Sequence, residues 1–118
     1  MMRPSSEIAV YLHRKPVDFR KAINGLSLIV QNELLMDPYS EALFVFVNRT
    51  RNRLKLLYWE RNGFCLWHKR LEKNKFAWPM RHETDTVNVS MQELNWLLDG
   101  FDIWRMPPHQ KLFYQSVG

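Results

Sequence analysis

The sequence predicts an α+β domain, an antiparallel β-meander of about four or five strands with one long amphipathic helix packed on it and a short C-terminal helix. Three observations predict this fold. Strand-like segments separated by short turns fill the middle of the chain, an apolar stripe at helical spacing precedes them, and a helix-capping pattern follows them. With 46% hydrophobic residues among 118, the chain has enough apolar side chains for one core. We expect a single domain over residues 1–106 and an extended or flexible tail over 107–118.

The predicted strands differ in how they are patterned. The longest apolar run is rich in valine and phenylalanine, which is typical of a strand buried on both faces. The next segment begins with strict alternation of charged and apolar residues, and the Asn62-Gly63 pair after it favours a tight hairpin. The segments predicted as strands are 8–12, 42–48, 53–60, 64–71 and 87–89.

Two segments have helical patterns. We expect Asp18 to cap the first helix, in which apolar residues recur every three or four positions for about four turns. Gly25 inside this helix indicates a close approach of the helix to the sheet. Ser90 and Glu93 have the spacing of a capping box at the start of the second helix, and Gly100 suits its end.

The composition excludes several classes of protein. Cys65 is the only cysteine, so the chain holds no intramolecular disulfide and no cysteine-based zinc site. No apolar run approaches the roughly 18 residues of a membrane span, and the N-terminus lacks the apolar segment of a signal peptide. We therefore expect a cytoplasmic protein with no membrane partner, no metal and no cofactor.

The sequence also lacks the patterns of a catalytic site. Cys65 and His68 are a candidate nucleophile and base, but residues three apart in a strand lie on opposite faces. No phosphate-cradling glycine motif is present, and the twelve acidic residues form no triplet of the kind that holds two metal ions. We therefore expect no catalytic residues and no enzymatic activity.

Positive charge is concentrated in the middle of the chain. The whole sequence carries a formal charge of +5, and residues 49–75 alone hold nine cations and two acids. A local excess of this kind indicates an anionic partner, most often nucleic acid. The alternative is a solvated strand face with charged hairpin tips that prevent edge aggregation. The predicted phosphate-binding residues are Arg49, Arg51, Arg53, Lys55, Lys69, Arg70, Lys73 and Lys75.

The aromatic residues of the same region have two interpretations. Most of them are expected to fill the core of a small β-rich domain. Tyr58 and Trp67 are the two candidates for stacking on unpaired bases.

An ordered string of short motifs runs from the first predicted helix through the predicted strands. The motifs are Asp18-Phe19-Arg20-Lys21, Gly25-Leu26, Asp37-Pro38-Tyr39-Ser40, Leu43-Phe44-Val45-Phe46, Asn48-Arg49, Arg53-Leu54-Lys55-Leu56-Leu57-Tyr58-Trp59, Gly63-Phe64-Cys65-Leu66-Trp67 and Lys69-Arg70-Leu71-Glu72. This string resembles the accessory protein encoded by the second reading frame of IS-sixty-six-type bacterial insertion sequences, often called TnpB. The resemblance covers residues 10–79 and continues more weakly to residue 98. The sequence departs from the family pattern at four positions: the family usually has methionine at Phe19 and glycine at Ala22, and tends to have a small residue at Glu41 and glycine at Asn74.

The resemblance implies an accessory role in transposition, beside a separate transposase. Combined with the charge pattern, it predicts a non-catalytic DNA-binding protein whose expected partners are the ends of the insertion sequence and the transposase. A second copy of the chain is a further candidate partner. The alternative function is a protein–protein interaction module that bridges or regulates the transposase without contacting DNA.

Overall fold

The computed structural model describes residues 8–105, which form one five-stranded sheet with a helix on each face. The tail predicted over residues 107–118 lies outside the described residues. Neither helix of the described region has the length and hydropathy needed to cross a membrane. The elements are β1 (Val10–His13), α1 (Ile23–Asn32), β2 (Leu43–Val47), β3 (Arg53–Glu60), β4 (Gly63–Arg70), β5 (Thr86–Val89) and α2 (Met91–Leu98).

The sheet is mixed, so the prediction of a purely antiparallel meander is wrong. The strand order is β4-β3-β2-β1-β5, and β1 pairs with β2 in parallel, with Val10 opposite Leu43 and Leu12 opposite Val45. The parallel pair follows from α1, which connects the two strands and returns the chain to the end of the sheet where β1 began. Only β2, β3 and β4 form an antiparallel meander, and β5 pairs with the free edge of β1.

Helix α1 is shorter than predicted and has a different start. It spans ten residues, and its N-cap is Ala22, which provides no side-chain cap. Asp18 lies outside the helix because its carboxylate instead accepts hydrogen bonds from the amide of Arg20 (2.9 Å) and from its guanidinium (2.6 Å). The expected reason for Gly25 is also wrong: a Cβ there would lie 3.1 Å from the side chain of Lys21, not against the sheet.

Helix α2 begins and ends where the sequence predicts. Ser90 Oγ accepts from the Glu93 amide and Glu93 Oε1 accepts from the Ser90 amide, each at 3.0 Å, so the capping box is complete. Gly100 follows the helix with φ of +94°, a conformation that glycine adopts without strain.

Strand β2 separates two hydrophobic clusters and is buried along its whole length, as predicted. Its alternate side chains Leu43, Val45 and Val47 face the cluster that contains α2. Phe44 and Phe46 face the other cluster, which contains α1. The sheet therefore has an α1 face and an α2 face, and both are covered by a helix.

Candidate nucleic-acid interface

Asn48 builds the loop that joins β2 to β3. Its side-chain Oδ1 accepts from the backbone amides of Asn52 and Arg53, both at 3.0 Å. Its Nδ2 donates to Thr50 Oγ1 (3.1 Å) and to Asn52 Oδ1 (2.7 Å). This network fixes a tight turn in which Arg51 adopts a φ of +61°. The side-chain amide of Asn48 therefore determines the conformation of the loop that carries Arg49 and Arg51.

The turn after β4 folds back on this loop. The Leu71 amide donates to the Asn52 carbonyl (2.8 Å), and the Phe76 amide donates to the Arg51 carbonyl (2.7 Å). Asn74 completes the turn with φ of +70°, a left-handed conformation that asparagine tolerates. The two loops are thereby held side by side at one end of the sheet.

These contacts gather six of the eight predicted phosphate-binding residues. Arg53 opens β3 and is directly opposite Arg70, which closes β4, and the two loops supply the others. We call this set the basic end. Residues 49–53 and 70–75 include one acid, Glu72, against these six cations. The basic end consists of Arg49, Arg51, Arg53, Arg70, Lys73 and Lys75.

Without a bound anion, the cations of the basic end repel one another. Like charges directly opposite each other destabilise a strand pair, and Arg53 faces Arg70. Glu72 relieves this in part, since its Oε1 accepts from the Arg70 guanidinium at 2.8 and 3.1 Å. The pKa of the neighbouring His68 is lowered by partial desolvation and then by the charges of Lys55, Arg53 and Arg70. An anion bound here would reduce this repulsion.

Lys55 differs from the basic end because its ammonium group is bound inside the protein. Its side chain is buried on the α1 face, where Nζ donates to the carbonyls of Phe19 (2.9 Å) and Lys21 (2.8 Å). The same Nζ lies 4.7 Å from the centre of the Phe19 ring. Burial, followed by the charge of Arg53, lowers the pKa of Lys55. Lys55 therefore fixes the segment that leads into α1.

Lys69 has the same kind of structural contact on the opposite face. It is the cross-strand partner of Leu54, which belongs to the cluster on the α2 face. Its Nζ donates to the carbonyl of Leu98 (2.7 Å), the last residue of α2, where a cation also interacts favourably with the helix dipole. Lys69 therefore lies on the α2 face of the sheet, whereas Lys55 lies on the α1 face.

The two candidate stacking residues lie against the core. Tyr58 and Trp67 are partly buried, and both pack on the cluster of the α2 face. A more exposed aromatic group lies at the other end of β3 and β4, far along the strands from the basic end. There Tyr39, Trp59 and Phe64 have their ring centres 5.0 to 5.1 Å apart.

Comparison with known proteins places this fold in a family. Residues 8–108 match the family described as IS66 Orf2 like protein. The chain belongs to that family. It is therefore a transposition-associated accessory protein, and the resemblance stated from its motifs is confirmed.

Two relatives from Sinorhizobium fredii match nearly the whole chain. The protein named "Uncharacterized protein y4jC" is 36% identical over 106 residues, which are 90% of this chain and 90% of the relative. The protein named "Uncharacterized protein y4hO" is 36% identical over 107 residues, which are 90% of this chain and 91% of the relative. No solved structure matches the chain.

A short segment of this IS66 Orf2 like protein adjoins the basic end, although the charge pattern did not single it out. The Val17 amide donates to the Val47 carbonyl (2.9 Å), which holds Asp18 and Phe19 beside the end of β2. Hydrogen bonds from Arg20 lower the pKa of Asp18 to about 2. A cleft of about 690 Å³ lies between this segment and Arg49. The available signal was the family motif over 18–21, which precedes the basic middle of the chain.

Among the described residues, the two other chemical arrangements considered from the sequence are not formed. Cys65 is the cross-strand partner of Tyr58, on the α2 face, whereas His68 contacts Phe19 on the α1 face. The Cys65–His68 pair is therefore split between the two faces of the sheet. Within residues 8–105, no three His, Cys, Asp or Glu side chains come close enough to hold a metal ion.

Proposed function

We propose that this IS66 Orf2 like protein binds the phosphate backbone of DNA through its basic end. The observation that carries the proposal is the convergence of six cations from two loops and two strand ends, with one acid among them. Arginine donates to phosphate oxygens in a bidentate fashion, and four of the six cations are arginines. The DNA expected in this family context is the ends of the insertion sequence.

The proposed contacts are to phosphates and not to stacked bases. Tyr58 and Trp67 pack against the core, and the aromatic cluster that contains the exposed Tyr39 lies at the other end of β3 and β4. Lys55 and Lys69 are placed outside the contact set because their ammonium groups donate to backbone carbonyls of the protein itself. Phosphate contacts position a protein on DNA, and the sequence choice is then left to a partner such as the transposase.

We further propose that the protein is non-catalytic, so that the strand chemistry of transposition belongs to the transposase. Two-metal phosphoryl transfer requires converging carboxylates, and the described residues contain no such group. The candidate nucleophile–base pair, Cys65 and His68, is divided between two faces of the sheet. The purified protein is expected neither to nick nor to join DNA in the presence of Mg²⁺ or Mn²⁺.

Two hairpin arginines provide a matched test of the proposal. Arg51 and Arg61 lie in the turns at opposite ends of β3, and both have left-handed backbones, with φ of +61° and +53°. Arg51→Gln and Arg61→Gln therefore change the same charge in the same conformation. Only Arg51→Gln is expected to weaken binding of end-derived duplex DNA, by about 3- to 30-fold in a fluorescence anisotropy titration at low salt.

Two outcomes of this titration would contradict the proposal. If both variants bind as the wild type does, the basic end does not contact DNA, and the cations meet an acidic surface of a protein partner. If both weaken binding equally, the affinity depends on net charge alone and has no site.

A further inference from the structure

Strand β4 forms one edge of the sheet, and half of its backbone groups face outward. It pairs with β3 over all eight residues without a bulge. The Leu71 amide donates to Asn52, and antiparallel pairs alternate between hydrogen-bonded and non-hydrogen-bonded types. The amides and carbonyls of Phe64, Leu66, His68 and Arg70 therefore point away from β3. No other described residue pairs with them.

The first five residues of this edge, Gly63 to Trp67, lack the features that usually prevent strand association. β4 contains no proline, it is twice as long as the edge strand β5, and its residues Phe64 to Trp67 are partly exposed apolar side chains or cysteine. Phe64 and Leu66 lie on the α1 face, and Trp67 lies on the α2 face. A partner strand would bury apolar surface on both faces while pairing the outward backbone groups.

The charge distribution along β4 indicates what the partner is. The first five residues of the strand, through Trp67, carry no charged side chain, and the last three include Lys69 and Arg70. A second β4 running antiparallel places the basic half of each strand opposite the neutral half of the other. A parallel arrangement would instead place each cation beside its own copy, which is unfavourable.

We propose that two copies of this chain associate through β4 to form a continuous ten-stranded sheet. In the register that pairs the outward backbone groups along the whole of β4, Trp67 lies on the two-fold axis of the dimer. It places Leu66 opposite His68, Phe64 opposite Arg70 and Cys65 opposite Lys69 of the second copy. No like charges face each other in this register. Both copies use the same surface, so the interface is isologous, as in closed two-fold dimers. This proposal does not depend on DNA binding.

Backbone substitution at His68 tests the dimer. The His68 amide points outward, so His68→Pro removes a bond to the second copy and no bond to β3. His68→Thr removes the same imidazole and retains the amide. In sedimentation equilibrium, the wild type and His68→Thr are expected to have the mass of two chains, and folded His68→Pro the mass of one. A monomeric wild type, or a dimeric His68→Pro, would overturn the proposal.

A cross-linking experiment tests the register without proline. In the proposed dimer the two Trp67 residues form a non-hydrogen-bonded pair, whose Cβ atoms are about 5 Å apart, close to disulfide geometry. Trp67→Cys with Cys65→Ser is therefore expected to oxidise to a covalent dimer. The wild type is the control, because its Cys65 residues would be about 13 Å apart along the strands. A folded double variant that stays uncross-linked, or a wild type that cross-links equally, would contradict this register.

Discussion

Two lysines of residues 49–75 have different environments, although their sequence contexts are alike. Lys55 and Lys73 both lie among cations in the middle of the chain. Lys55 is buried and donates to two backbone carbonyls, whereas Lys73 is exposed in a turn. Alternation predicts that Arg53 and Lys55 share a face, and they do. It does not reveal that the segment before α1 covers Lys55, because that contact spans 34 to 36 residues.

This difference gives a stability prediction. Lys55→Ala leaves the carbonyls of Phe19 and Lys21 without their donor, so we expect it to lower the free energy of unfolding by about 2 kcal/mol. Lys73→Ala is expected to change it by less than about 0.5 kcal/mol. Urea denaturation followed by tryptophan fluorescence measures both. Equal stability of the two variants would show that the internal contacts of Lys55 contribute nothing to the fold.

The pKa of His68 responds to the positive charges near the basic end. Desolvation and the charges of Lys55, Arg53 and Arg70 lower its pKa, so its imidazole should titrate below 6.5 in an NMR pH titration. The unfolded chain binds this proton more readily, so the contribution of His68 to stability falls as the pH drops below 6.5. His68→Gln should remove that part of the pH dependence. A His68 pKa above 6.5 would mean that the surrounding potential is not positive.

At the scale of elements, the burial of β2 predicts the largest stability effect. Phe46 is fully buried in the cluster of the α1 face. Phe46→Ala should lower the free energy of unfolding by about 3–5 kcal/mol through lost burial and the cavity left behind. Leu28→Ala is the control, because 54% of Leu28 is exposed on α1. The prediction fails if the two variants have the same denaturation midpoint.

The elements that depend on local patterns are predictable from the sequence, and those that depend on distant pairing are not. The strand β3 and the capping box of α2 are both predicted from local sequence patterns, and both predictions are confirmed. The parallel pairing of β1 with β2 depends on how α1 packs on the sheet. The four residues of β1 do not specify that packing, so they do not predict the direction of its partner strand. Asp18 was expected to cap α1 because the residue type suits it, but Arg20 competes for its carboxylate.

For the candidate site, the sequence predicts the positive charge and not its arrangement. A cluster of nine cations within residues 49–75 is visible from the sequence alone. That six of them meet at one end follows from the register of β3 with β4 and from the hydrogen bonds that join the two loops. Lys55 and Lys69 are diverted to opposite faces of the sheet by carbonyls on distant segments.

At the scale of the whole molecule, charge and hydrophobic surface are separated along the strands. The basic end holds six cations, and the opposite end of β3 and β4 holds the cluster of Tyr39, Trp59 and Phe64. The formal charge of the whole chain is +5, so the residues outside the basic end are nearly balanced in charge. An anionic partner is therefore expected to meet the molecule at one end, in one orientation.

The salt dependence of DNA binding tests the basic end most directly. Each phosphate contact contributes about 0.9 to the slope of log K against log salt concentration for duplex DNA. Replacing Arg49, Arg51 and Lys73 together by Gln should therefore flatten the slope by up to about three units, with the melting temperature unchanged. A folded triple variant that keeps the wild-type slope would contradict DNA binding by the basic end.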